Sequence, residues 1–278
     1  MAAFRRCVPY IGTIFLYVMM SSRIAVAQAG TPPAAAPLVS TATDERNLIA
    51  RASQAALQYS AQLPNFICKQ VTRRRFDPKG DGRWRDVDES SQLISFYEGA
   101  EHYQQVSTRS LARDGDLFQP WMNSTGEFGS LLQQIFTPEA SARFSRIGSD
   151  QVRGRNVQTF SYEVDFKHSK YEVLWREGGK PTGVVDAYKG LVSIDPESLS
   201  VLRLTLAIQP LPVPFPVRHV SLTLEYGDAV VAGKVHNLPI DFTMVVQLQK
   251  GGQLRNDVTF GGYRRFVANS HLITDRVQ

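Results

Sequence analysis

The chain has 278 residues, with 31 Lys and Arg against 26 Asp and Glu, a formal net charge of +5, and two cysteines. Three of those arginines (Arg5, Arg6, Arg23) and Cys7 fall within the first 27 residues, which carry no acid, so the remainder is nearly balanced at +2 with Cys68 alone. That balance removes the electrostatic footprint of a nucleic-acid binder, and a single cysteine excludes an internal disulfide.

Arg5 and Arg6 precede an apolar run, Cys7 to Met20, and Ala25-Val26-Ala27 closes the segment. A basic start, a short apolar middle and an A-x-A exit predict a secretory signal peptide over 1–27. The run falls short of the ~20 residues that span a bilayer; a retained N-terminal anchor is the alternative. The expectation is an exported protein, periplasmic or extracellular, and not integral to a membrane after cleavage. Residues 28–42 (QAGTPPAAAPLVSTA) predict a Pro/Ala-rich disordered segment. Residues 43–278 then form a single domain.

Thr43 is the candidate N-cap of a helix over 44–62, in which Leu48, Ala52, Ala55, Ala56 and Tyr59 recur at helical spacing before Pro64 stops it. Cys68 follows Phe66 and Ile67, a setting for a packed side chain rather than a reactive thiol. The densest basic cluster comes next: Arg73, Arg74, Arg75, Arg83 and Arg85. It predicts either contact with a lipid headgroup or protein partner, or a solvated hairpin end whose charges protect a sheet edge. Asp77 to Gly82 superficially echoes a calcium loop, but Lys79 stands where an oxygen ligand is needed, so a tight hairpin connection is expected.

From residue 66 onward the apolar period is two. Clear alternation covers 160–166, 202–208, 220–226 and 240–249, with Ile240, Phe242, Met244, Val246 and Leu248 on one face of the last. Weaker strands are predicted at 66–76, 86–97, 101–111, 144–152, 170–176, 184–194, 229–236 and 254–267, eleven or twelve in all. Residues 117–143 break the pattern with two short helices, very apolar on one side. Phe118, Trp121, Met122, Phe128, Leu131, Leu132, Ile135 and Phe136 are therefore the candidate ligand-binding residues. Pro210, Pro212, Pro214 and Pro216 mark a stiff extended connection, with a docking rim as its functional alternative.

No template for catalysis is met. The five histidines (His102, His168, His219, His236, His271) are scattered, and there is no nucleophile elbow, P-loop or dinucleotide fingerprint. The sequence therefore predicts a non-enzymatic protein with no catalytic residue, metal or cofactor.

A sheet of so many strands curls, and its dry face becomes the concave side. The expected fold is mainly β (α+β): a large curved antiparallel sheet, or unclosed β-barrel, with an N-terminal helix and short covering helices. That arrangement, together with Lys189-Gly190-Leu191-Val192-Ser193-Ile194-Asp195 followed by Val201-Leu202-Arg203-Leu204, resembles the LolA/LolB superfamily of outer-membrane lipoprotein carriers. The late stretch Asn256 to Phe260 with Tyr263 and Phe266 is similar to that family's final strand. The resemblance implies a binding protein whose concave face holds a lipid or a lipoprotein acyl chain. The alternative is a structural or interaction protein of the cell envelope, with a filled core and an envelope protein as partner.

Overall fold

The computed structural model describes residues 38–111, 126–175 and 181–266. Helix α1 (Leu38–Gln62) opens the fold, starting six residues before the expected position, so Thr43 lies inside it rather than at its start. Ala52 and Ala56 on one face are buried, and Leu48, Ile49, Leu57 and Tyr59 pack around them. Small residues at that spacing let the helix approach the sheet closely.

Twelve strands follow among the described residues: β1 (Phe66–Asp77), β2 (Arg85–Tyr97), β3 (Ala100–Ser110), β4 (Arg143–Val152), β5 (Arg155–Val164), β6 (Glu172–Trp175), β7 (Thr182–Val185), β8 (Tyr188–Ile194), β9 (Val201–Ile208), β10 (Val217–Val231), β11 (Lys234–Leu248) and β12 (Gln253–Arg265). Ten form one antiparallel sheet in the order β3-β2-β1-β12-β11-β10-β9-β8-β5-β4, while β6 and β7 pair separately. The edges β3 and β4 do not pair with each other, so the barrel is unclosed. Between β3 and β4 lies helix α2 (Ser130–Phe136), then a single 3-10 turn over Pro138–Ala140 that Thr137 precedes. The buried apolar side chains of both helices and of the sheet's inner face form one core, and the sheet curls around it.

Two departures from simple alternation have a local cause. The region expected as three strands (220–226, 229–236, 240–249) is two 15-residue strands, β10 and β11. Their two-residue loop, Ala232-Gly233, has φ of +51° and +77°, the geometry of a primed turn matched to strand twist. Pro239 sits inside β11 at the register shift opposite Glu225 and Tyr226, which is where a strand tolerates a residue without an N–H. The shift removes Ile240 from the dry face and hands that place to buried Leu238. A second shift, between β8 and β9, seats Val201 in the main core and Leu202 in a small separate cluster with Val152 and Val157.

Gly190 shows why one residue type is required at one place. A Cβ there would stand 1.9 Å from the Thr205 carbonyl oxygen and 2.8 Å from the Tyr162 hydroxyl. The bare backbone lets the Tyr162 ring cross β8 and donate its O–H to that carbonyl at 2.8 Å. The Thr205 hydroxyl in turn accepts the Leu191 N–H at 2.8 Å, so the interrupted ladder is made good.

Candidate functional site

One half of the concavity is filled. Phe128, Leu131, Leu132, Ile135 and Phe136 are all buried. Phe128 packs its ring 5.2 Å from Phe66 and 5.6 Å from Phe260, centroid to centroid, and Phe136 stacks on Phe144 at 5.5 Å. Their backbone is tied down as well. Tyr188 donates its O–H to the Gln134 carbonyl at 2.6 Å, and Tyr226 to that of Glu127 at 3.2 Å. On β3, the Glu101 carboxylate accepts the N–H groups of Gly126 and Phe128 and the hydroxyl of Tyr103. The five candidates are thus brought together, but as core side chains; none of them lines the open cavity described next. Phe118, Trp121 and Met122 lie outside the described residues.

The other half is open and polar. Along β1 the inward face runs Phe66, Cys68, Gln70, Thr72, Arg74, so it turns from apolar to polar after Cys68. On β2 the same change falls between Ile94 and Gln92, with Ser90 and Asp88 beyond. Register sets these rows side by side: Gln70 pairs with Gln92, Thr72 with Ser90, and Arg74 with Asp88. On the far side of β1, Thr72 pairs with Val258 and Arg74 with Asn256 of β12, and Val258 meets Phe242 of β11. With Tyr103 and Gln105 from β3, and Glu127 from the approach to α2, they line a cavity of about 390 Å³.

Its charges are arranged in a definite way. Arg74 and Asp88 form a bidentate pair at 2.6 and 2.9 Å, with side chains only 14% and 10% exposed. Glu127, 3% exposed, adds a second buried carboxylate to the lining. The Tyr103 hydroxyl donates to Glu101, and desolvation together with the charges of Glu127 and Glu101 raises the phenol above its ordinary value although the side chain is 36% exposed. The Gln70 amide donates to the Thr72 hydroxyl at 3.2 Å, while its carbonyl oxygen is buried with no partner.

The basic cluster does not survive as a patch. Alternation sends Arg74 inward and its neighbours outward. Arg73 clasps Asp86 at 2.9 and 2.6 Å, and Arg75 lies 3.4 Å from Asp86 and 3.5 Å from Asp257. Arg83 lies beside Asp81 at 3.8 Å, and Arg85 is exposed at the start of β2. The five arginines expected to contact a headgroup or a partner thus divide between two faces, and carboxylates lie beside Arg73, Arg74 and Arg75. The adjoining loop closes on its own acid, since Asp77 accepts the N–H groups of Lys79, Gly80 and Gly82 at 3.1, 2.9 and 2.7 Å. The proline-rich connection buries Leu211 and Phe215 in the core and leaves Val213 exposed.

Cys68 is buried, and burial pushes its thiol up to about 12. Among the described residues, no group of three or more His, Cys, Asp or Glu side chains is placed to hold a metal ion. No helix among them is long and apolar enough to cross a membrane.

No family model matches the chain, and no curated protein matches it. Solved structures do. A LolA superfamily protein from Nitrosomonas europaea is 10% identical, with 80% of this chain and 94% of that one covered at a TM-score of 0.34. A DUF1329 family protein from Desulfovibrio piger is 11% identical, covering 82% and 94% at 0.37. The lipoprotein LppX of Mycobacterium tuberculosis is 12% identical, covering 81% and 100% at 0.27. At 10–12% identity and TM-scores of 0.27–0.37, these likenesses carry nothing about family, ligand or partner to this chain.

The polar rows escaped the sequence reading although their signal is present. Gln70, Thr72 and Arg74 share the parity of Phe66 and Cys68, just as Asp88, Ser90 and Gln92 share that of Ile94 and Phe96. Polar residues continuing the parity of a dry face mark where that face stops being dry.

Proposed function

We propose that this chain is an exported, non-enzymatic binding protein that holds a small ligand in the open half of the concave face, between β1–β3 and β11–β12. The observation that carries the proposal is the cavity of about 390 Å³, which stays open while α2 fills the rest of the concavity. Its volume lies within the range of about 300–1,000 Å³ typical of small-molecule sites. The leader-like residues 1–27 support export, and the inert setting of Cys68 supports a role without nucleophilic chemistry. The test is native mass spectrometry and thermal-shift screening of protein purified from cells expressing the full chain. A ligand retained in the native spectrum, or a stabilising small molecule whose effect disappears in Gln92→Trp, is the expected result. No retained mass and no stabilising compound removes the proposal.

A second reading, the one the carrier resemblance implies, puts an acyl chain in the apolar half. One observation favours it. That half is closed by a seven-residue helix whose approach turns at Gly126 and Gly129, with φ of +95° and +139°. Withdrawal of α2 together with Phe128 would uncover Phe66 and Phe96. A fluorescent fatty-acid probe that binds and speeds amide exchange over 130–136 supports this occupant; failure of the probe to bind eliminates it. The interaction-protein alternative has less behind it, because the hairpin charges are paired and the proline-rich loop sends two side chains into the core.

A further inference from the structure

The lining chemistry narrows the ligand, and the inference rests on the open half of the trough being the binding site. We infer that its ligand is a neutral, polyhydroxylated molecule of the saccharide class. Side chains that both donate and accept dominate the wall: the carboxamides of Gln70, Gln92 and Asn256, and the hydroxyls of Thr72, Ser90 and Tyr103. A sugar hydroxyl also donates and accepts, so each can meet such a wall in either sense.

An acyl chain is the wrong occupant for this half. Displacing water from carboxamides and hydroxyls without replacing its hydrogen bonds strands buried polar groups, which costs more than the contact returns. An anion is disfavoured for a separate reason. The Arg74 guanidinium is spanned by Asp88 through both of its carboxylate oxygens, and Glu127 contributes another buried carboxylate. A phosphate or fatty-acid carboxylate would meet a cation already spanned by a carboxylate. Phe242 and Val258 supply the single apolar stretch of the lining, suited to the C–H face of a pyranose ring.

The experiment is saturation-transfer NMR on the purified full-chain product. The probes are glucose, galactose, mannose, N-acetylglucosamine, maltose, hexadecanoate and inorganic phosphate. Transfer to at least one saccharide is expected, with affinity reduced at least tenfold in Gln92→Leu and in Ser90→Val. The melting temperature of each variant guards against misfolding, and competition between saccharides on the native protein provides a readout independent of both. Binding of hexadecanoate or phosphate with no saccharide bound overturns the inference and leaves the binding-protein proposal standing. Saccharide binding that both well-folded variants retain overturns the assignment to this trough. Transfer to no probe, together with no stabilising compound in the thermal screen, sinks both.

Discussion

The carboxylate of Glu101, on the edge strand β3, accepts the backbone N–H of Phe128 at 3.2 Å. Its other oxygen accepts that of Gly126 at 3.1 Å, so one side chain receives two donors just ahead of α2. Both donors belong to the turn before the N-cap Gly129, so Glu101 ties that turn to the sheet at the boundary between the filled and the open halves of the trough. Hydrogen bonds to a charged group are worth about 1.5–3 kcal/mol. Glu101→Ala should therefore cost about 2–4 kcal/mol in urea unfolding. It should also raise amide exchange over 130–136 selectively. Exchange that rises equally across β8–β12 would mean Glu101 supports the whole fold rather than this junction.

The two hairpin arginines Arg73 and Arg74 are adjacent in sequence and opposite in consequence. Removing one partner of a buried ion pair strands the other, at about 3–5 kcal/mol. Asp88→Ala should fall in that range, because Arg74 would be left in the trough without its bidentate acceptor. Arg73→Ala removes an exposed partner of Asp86 and should leave the urea midpoint within experimental scatter. Equal losses in the two variants would contradict the division of the cluster between faces.

Gly190 has no room for a methyl group. Gly190→Ala should destabilise by about 3 kcal/mol or more, since the new carbon collides with the Thr205 carbonyl rather than with a flexible side chain. Gly148, in β4, has nothing within 4 Å of the corresponding position. Gly148→Ala should lie within about 0.5 kcal/mol of the parent. Thermal unfolding of the pair decides whether the β5-β8-β9 crossing by Tyr162 is as tight as described.

Buried phenols make the fold sensitive to alkali. Burial raises Tyr188 to about 12, and Tyr162 and Tyr226 well above their ordinary value of 10.0. A folded-state pKa above the unfolded one means that the folded state retains the proton. Stability from Tyr188 is thus complete below pH 10 and lost as pH rises from 10 to about 12. The urea midpoint should decline through that window, and tyrosinate absorbance should lag behind that of unfolded protein. Tyr188→Phe should weaken the decline. A flat profile to pH 12 would show that these hydroxyls titrate as though exposed.

Much of this molecule is written in local pattern. Parity of apolar residues marks most of the strands, helical spacing of Ala52, Ala56 and Tyr59 marks α1, and Lys79 rules against a calcium loop. Pattern fails where the cause is a neighbour. The Ala232-Gly233 turn lacks the Asn-Gly or Asp-Gly signal, and the shift at Pro239 depends on what β10 presents opposite it.

By its own order of residues, the chain determines that its strands are two-faced and that Gln70, Thr72 and Arg74 lie on the same side as Phe66. Only the folded sheet decides that this side meets Asn256 and Val258, from the other end of the chain, and that α2 stops short of them. The reason is that alternation is a property of one strand, whereas a trough is made by register between strands. Pairing of β1 with β12 joins chain segments that no local spacing connects.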